Sequence, residues 1–204
     1  MAYQTSTGNY FTFTRNYNIS EFTAAIWIYP TSSPSEATPC GLWEAAGFTY
    51  QWIISRNSTG TITIAVHVNV GAVTVATSTG TTSLNTWSHV GLVKTSSGIQ
   101  CYINGALDGT ASISGAMLSR TAASGIGARQ AGNLPFPGNL AEFGTWTRSL
   151  SAAEMASLAD GFKPSRIPNP DIYYPLVREK IDVRNNYTLT TVGSPSVQAH
   201  NRIY

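Results

Sequence analysis

The stretch Gly60-Thr61-Ile62-Thr63-Ile64-Ala65-Val66-His67-Val68-Asn69 decides the fold class. Successive side chains of an extended chain point to opposite faces. Ile62, Ile64, Val66 and Val68 therefore share one face, and Thr61, Thr63, Ala65, His67 and Asn69 share the other. A period of two, with one apolar and one polar side, is the pattern of a half-buried strand. It places His67 on the polar face.

Similar runs lie on either side. Tyr10–Thr14, Phe22–Tyr29, Phe48–Ser55, Ala72–Ser78, Trp87–Lys94, Ile99–Asn104 and Asn139–Trp146 all read as strands. In Phe22–Tyr29 both faces are apolar, with Phe22, Ala24, Ile26 and Ile28 on one and Trp27 and Tyr29 on the other. That is the mark of a central strand covered on both sides. Turn clusters separate the runs at Pro30–Pro34, Asn57–Gly60, Ser78–Thr82, Ser96–Gly98 and Asn104-Gly105. Asn-Gly tolerates the two positive φ angles of a type I′ turn, so Asn104-Gly105 predicts a tight hairpin. Many short strands at this spacing predict an all-β antiparallel sandwich.

One helix interrupts the series near residues 151–160. Ser151-Ala152-Ala153-Glu154 is a capping box. Leu150, Met155 and Leu158 supply an apolar stripe, Gly161 is placed to end the helix, and Pro164 prevents its resumption. Three prolines between Lys163 and Pro170 then mark a connector. The division predicted is a sandwich over 1–164 and a C-terminal arm over 165–204. The arm contains strand-like runs at Ile172–Val177 and Tyr187–Val192, and it is expected to pack on the sandwich or on a neighbouring subunit.

Composition narrows the function classes. Of 204 residues, 42% are hydrophobic, so a core can form; only 11% are charged, against roughly 25% in an ordinary domain. The net charge is +2, with no basic run. Arg178, Lys180 and Arg184 alternate with Glu179 and Asp182, which reads as a solvated face. No nucleic-acid partner is expected. No apolar run approaches the ~20 residues of a membrane span. Met1–Tyr10 is polar, so no secretory leader is expected. Cys40 and Cys101 are not in a metal-ligand pair; Cys101 alternates with Ile99 and Ile103 and reads as a buried free thiol.

Four segments, in order, carry a family resemblance. They are Phe22-Thr23-Ala24-Ala25-Ile26-Trp27-Ile28, Trp87-Ser88-His89-Val90-Gly91-Leu92-Val93, Ile99-Gln100-Cys101-Tyr102-Ile103-Asn104-Gly105, and the long segment Phe136–Glu154. They resemble the laminin-G-like, concanavalin A-like jelly roll over roughly residues 10–160. That resemblance implies a two-sheet β-sandwich with Trp27, Trp87 and Trp146 in packing positions and His89 in a structural role. The tail resembles tailed-bacteriophage members of the family: Tyr173-Tyr174-Pro175-Leu176-Val177, then Asp182, Leu189-Thr190, Gly193-Ser194-Pro195 and His200. It implies a virion structural protein, decorating a capsid or associated with a tail or fibre. Its partners would be other virion proteins and further copies of itself, with localisation in the virion. The alternative is a lectin-like module that binds a host-surface glycan.

Candidate site residues are few. Glycosidases of this fold carry paired carboxylates on one strand, and no such spacing occurs, so no enzyme activity and no catalytic residue is expected. Calcium is the one cofactor to consider. Asp108, after the Asn104-Gly105 hairpin, and Glu142, in the Phe136–Glu154 segment, are its candidate ligands. Ala141 stands where the family usually has Asp, so no dedicated calcium site is expected. Glu142 also has a structural reading as an acceptor for loop amides, and Arg148 as a tie between the last strand and the helix. Trp43 and Tyr50 are the candidates for stacking on a sugar ring.

Overall fold

The computed structural model describes residues 2–44, 49–68, 73–120, 123–129, 132–177, 182–183 and 188–199; of 43, 44, 49 and 50 only the backbone is described. Among the described residues the chain forms fifteen strands and one α-helix. The first ten strands are β1 (Ala2–Thr5), β2 (Tyr10–Phe13), β3 (Phe22–Pro30), β4 (Glu36–Glu44), β5 (Thr49–Asn57), β6 (Thr61–His67), β7 (Val73–Thr81), β8 (Ser88–Lys94), β9 (Gly98–Ile103) and β10 (Ala106–Ser112). Then come β11 (Ser124–Ile126), β12 (Gly138–Trp146), α1 (Ala152–Ala159), β13 (Ile172–Tyr174), β14 (Thr190–Val192) and β15 (Ser196–Gln198).

These strands build two antiparallel sheets. One runs β10-β9-β8-β3-β12-β1-β15, with β13 also on β12; the other runs β14-β2-β11-β4-β5-β6-β7. Their inner faces enclose the main core. Ile62, Ile64 and Val66 of β6 and Phe22, Ile26 and Ile28 of β3 all belong to it, and Trp52, fully buried, sits among Phe22 and Phe143. Cys40 and Cys101 are buried free thiols in this core, and burial pushes the Cys101 thiol up to about 12.

The outer face of the first sheet is covered as well. Ala25, Val93, Tyr102 and Trp146 pack under Leu150, Met155, Leu158 and Ile167. Met155 and Leu158 of α1 each contribute roughly 2 kcal/mol by leaving water. Trp27 packs with Ala2 and Ala141 on the same outer side, and half-buried Trp87 leans on Tyr29. The three tryptophans implied as packing residues thus serve the outer face, whereas Trp52 fills the space between the sheets.

The helix follows its caps. The Ser151 hydroxyl accepts from the Glu154 amide, and Glu154 accepts from the Ser151 amide at 2.8 Å. Arg148 forms a bidentate pair with Glu154 at 3.0 and 2.6 Å and donates to the Pro168 carbonyl, tying strand, helix and connector together. Asn104 and Gly105 take φ of 49° and 81°, the predicted tight hairpin.

The structure differs from expectation in two places. First, His67 is buried rather than on a wet face. The segment around Met117 and Leu118 crosses β6, with the Leu118 amide donating to the His67 carbonyl at 2.8 Å. Second, β4 occupies a stretch that the prolines and glycine of Pro30–Gly41 had disguised. Pro39 lacks an N–H, and the register with β5 shifts between Ala37 and Cys40, a bulge that accommodates it. The described part of 165–204 pairs with strands of its own sandwich. β13 pairs with β12, β14 with β2 and β15 with β1. Asp171 accepts two bonds from Arg15, at 2.9 and 2.7 Å, and one from the Tyr17 hydroxyl. Arg178, Glu179, Lys180, Arg184 and His200 lie outside the described residues.

Candidate functional site

Two sandwich carboxylates sit at β-bulges, and their surroundings separate them. Asp108 is the bulged residue of β10, between Leu107 and Gly109. The bulge aims it across to β7. There it accepts from the Thr79 amide at 3.2 Å, the Thr79 hydroxyl at 2.5 Å, and the Gly80 amide at 3.1 and 3.0 Å. These bonds, the Thr79 hydroxyl first, hold its carboxyl below the usual range. Both oxygens are occupied by donors, so Asp108 fastens one sheet to the other.

Glu142 sits where β12 changes partner. Gly138–Leu140 pairs with β1, Phe143–Thr145 pairs with β13, and on the other side the register with β3 shifts between Ala141 and Gly144. The extra residue gives Glu142 a φ of 53°, a left-handed conformation that costs a non-glycine residue of order 1 kcal/mol. Its amide donates to the Pro175 carbonyl at 3.1 Å.

Glu142 is only 5% exposed. The Tyr173 hydroxyl donates to Oε2 at 2.5 Å. Oε1 is buried and has no hydrogen-bond partner among the described residues. The partner is thus a tyrosine hydroxyl, not the loop amides expected from sequence. A bare buried acceptor costs roughly 1–3 kcal/mol, and more when charged. The group responds by holding its proton: burial pushes its pKa up to about 7, against the downward pull of Tyr173, Lys163 and the chain's amino terminus. Burial and Glu142 push the Tyr173 phenol far above its ordinary value. Tyr173 is held in turn by Asp182, which accepts its amide at 2.7 Å.

Glu142 and Tyr173 line a hollow of about 440 Å³, with Lys163, Ser165, Pro175, Val177 and Val183 completing it. A second hollow, of about 410 Å³, is lined by Asp160, Gly161, Phe162 and Arg166. The stretch 160–166 contributes to both. Gly161, at φ 97°, ends α1, and the Phe162 amide donates to the Ser157 carbonyl at 3.1 Å. A hydrophobic residue at this place after a helix usually folds back onto the last turn. Phe162 instead stays 55% exposed. It is the exposed aromatic among the described residues. Pro164–Arg166 then forms a single 3-10 turn that stiffens the ledge.

The sequence-predicted residues do not converge. Asp108 and Glu142 are on β10 and β12, four strand spacings apart in one sheet, or about 19 Å. Among the described residues no three His, Cys, Asp or Glu side chains gather to hold a metal. Calcium needs six or more oxygen ligands, and neither bulge supplies them. Trp43 and Tyr50 face each other as backbone partners of β4 and β5, and their side chains lie outside the described residues. Burial lowers the His89 pKa to about 3, so this histidine is neutral and structural. Phe162 was missed because an aromatic between Gly161 and Pro164 reads as part of a connector; its one signal was position, directly after a helix-ending glycine.

A family model described as the concanavalin A-like lectin/glucanases superfamily matches residues 5–156. The chain belongs to that superfamily. No curated protein matches the sequence. Among solved structures, a heptameric SAP-like pentraxin from Limulus polyphemus is similar, with a TM-score of 0.58 and 18% identity over 74% of this chain and 75% of that one. A candidate carbohydrate-binding protein from Bacteroides ovatus ATCC 8483 has a TM-score of 0.66 and 17% identity over 95% of this chain. This superfamily member spans 60% of that protein's length. At these identities the likeness is one of fold. Lys163, Ser165, Tyr173, Pro175, Val177 and Val183 all fall outside the matched 5–156 region.

Proposed function

We propose that this protein is a non-catalytic carbohydrate-binding module, with the ledge 160–166 as its binding surface. The observation that carries this reading is Phe162. A half-exposed ring beside Asp160 and Arg166 offers an apolar face for the C–H side of a sugar and charged groups for its hydroxyls. Sites of this kind combine an apolar platform with a few placed polar groups. Membership in a lectin-containing superfamily and the carbohydrate-binding description of the Bacteroides ovatus protein support the same reading.

The absence of catalysis is part of the proposal. Glycoside hydrolysis uses two carboxyl groups across one bond, and among the described residues each hollow is lined by one, Asp160 or Glu142. The folded protein should bind members of a glycan array and leave them uncleaved; a clean array, or shortened products, overturns the reading.

A virion setting is the second reading, favoured by the likeness of Tyr173–Pro195 to tailed-bacteriophage members. It makes the module a surface component of a particle, present in several copies so that weak sites act together. Mass spectrometry of purified particles tests it: peptides of this chain at structural-protein abundance support it, and their absence refutes it.

A further inference from the structure

We infer that the hollow between Lys163 and Glu142 is a site for a carboxylate-bearing sugar, engaged by the Lys163 ammonium. This rests on the carbohydrate-binding reading and names the class of sugar. It joins Glu142, on β12 inside the family's matched region, to Lys163, Ser165 and the β13 residue Tyr173, which lie outside it.

Lys163 and Glu142 line the same hollow, with the hydroxyl of Ser165 beside them. Among the described residues Tyr173 covers one oxygen of Glu142 and the other is bare and buried, and Lys163 is near enough to pull the Glu142 pKa down. A buried carboxyl with an uncovered oxygen is stable in its neutral form. With Glu142 neutral, the described lining of the hollow presents one positive charge, Lys163. With Glu142 ionised, that charge is offset within the hollow. Asp182 lies behind Tyr173, bonded to its amide, and is itself 1% exposed. The remaining described walls, Pro175, Val177 and Val183, are apolar and suit the C–H face of a ring. Arg166 and Phe162 on the neighbouring hollow are placed to take the next sugar of a chain.

Reciprocity fixes the pH dependence. If the Glu142 proton favours the anion, the anion favours the proton by the same factor. Binding of an acidic sugar should then weaken as Glu142 ionises, through about pH 7. The sugar's own carboxylate stays charged throughout that range.

Calorimetric titration at pH 5.5 and 8.5 tests this, using a uronate oligosaccharide and its carboxyl-reduced neutral counterpart. The wild type should bind the uronate about tenfold more tightly at pH 5.5 than at 8.5, with little change for the neutral sugar. Glu142→Gln should flatten the pH dependence, and Lys163→Met should abolish the preference for the uronate at both pH values. Circular dichroism confirms that both variants are folded. Equal binding of the two sugars, or a uronate preference that survives Lys163→Met, overturns the inference and leaves the carbohydrate reading standing. Binding of neither sugar, with a clean array, overturns that reading instead.

Discussion

Replacing Glu142 by Gln should change stability in a way that depends on pH. In the folded chain the Glu142 pKa lies at about 7, raised from 4.5 chiefly by burial. Between these values the folded state keeps a proton that the unfolded state releases. The contribution of Glu142 is therefore most favourable below pH 4.5 and is lost as pH rises through 7. A gap of that size corresponds to about 3 kcal/mol lost by pH 8. Gln keeps an oxygen for the Tyr173 hydroxyl but cannot ionise. Its amide has its own packing effect, which is the same at every pH. The stability difference between Glu142→Gln and the wild type should thus move by about 3 kcal/mol in favour of the variant between pH 4.5 and pH 8. Urea melts followed by tryptophan fluorescence read it, since Trp52 is fully buried. A difference that stays constant across that range would refute the assignment of Glu142 as a carboxyl protonated near neutrality.

Three further predictions concern the fold. His89, 1% exposed and with a pKa lowered to about 3, should make the protein lose stability as pH falls from 6.5 towards 3. His89→Gln should remove about 4 kcal/mol of that loss, measured by the same melts under acid. Glu154→Ala removes the capping box and the Arg148 pair together, and should lower stability by roughly 1–2 kcal/mol in thermal melts. Ending the chain after Lys163 removes β13, β14 and β15 and uncovers Phe143 and Trp146. The product should be insoluble or lack sharp near-ultraviolet dichroism, and a well-folded truncated protein would contradict the picture of an integral C-terminal segment.

The sandwich was legible because its signals are local. Ile62, Ile64 and Val66 announce β6 by alternation, Asn104-Gly105 announces a turn by conformational tolerance, and Ser151 and Glu154 announce a helix by reciprocal hydrogen bonds. β4 was hidden because Pro39 and Gly41 weaken its local preference, and only pairing with β5 and β11 makes it a strand. His67 misled because a distant segment covers it. The candidate site was less legible for the same reason. Glu142 could be singled out as a lone carboxylate. Its bulge, its Tyr173 partner and its bare oxygen depend on contacts across more than thirty residues. Phe162 gave no periodic signal at all, because its exposure is set by how one helix ends.

A sugar-binding ledge at Phe162 is tested most directly by the affinity of Phe162→Ala for an oligosaccharide that the wild type binds on an array. The side chain is exposed, so stability should stay within about 0.5 kcal/mol of the wild type. Losing the apolar platform should cost roughly 2 kcal/mol of binding, or about thirtyfold in Kd. An unchanged Kd in a stable Phe162→Ala protein would contradict the claim.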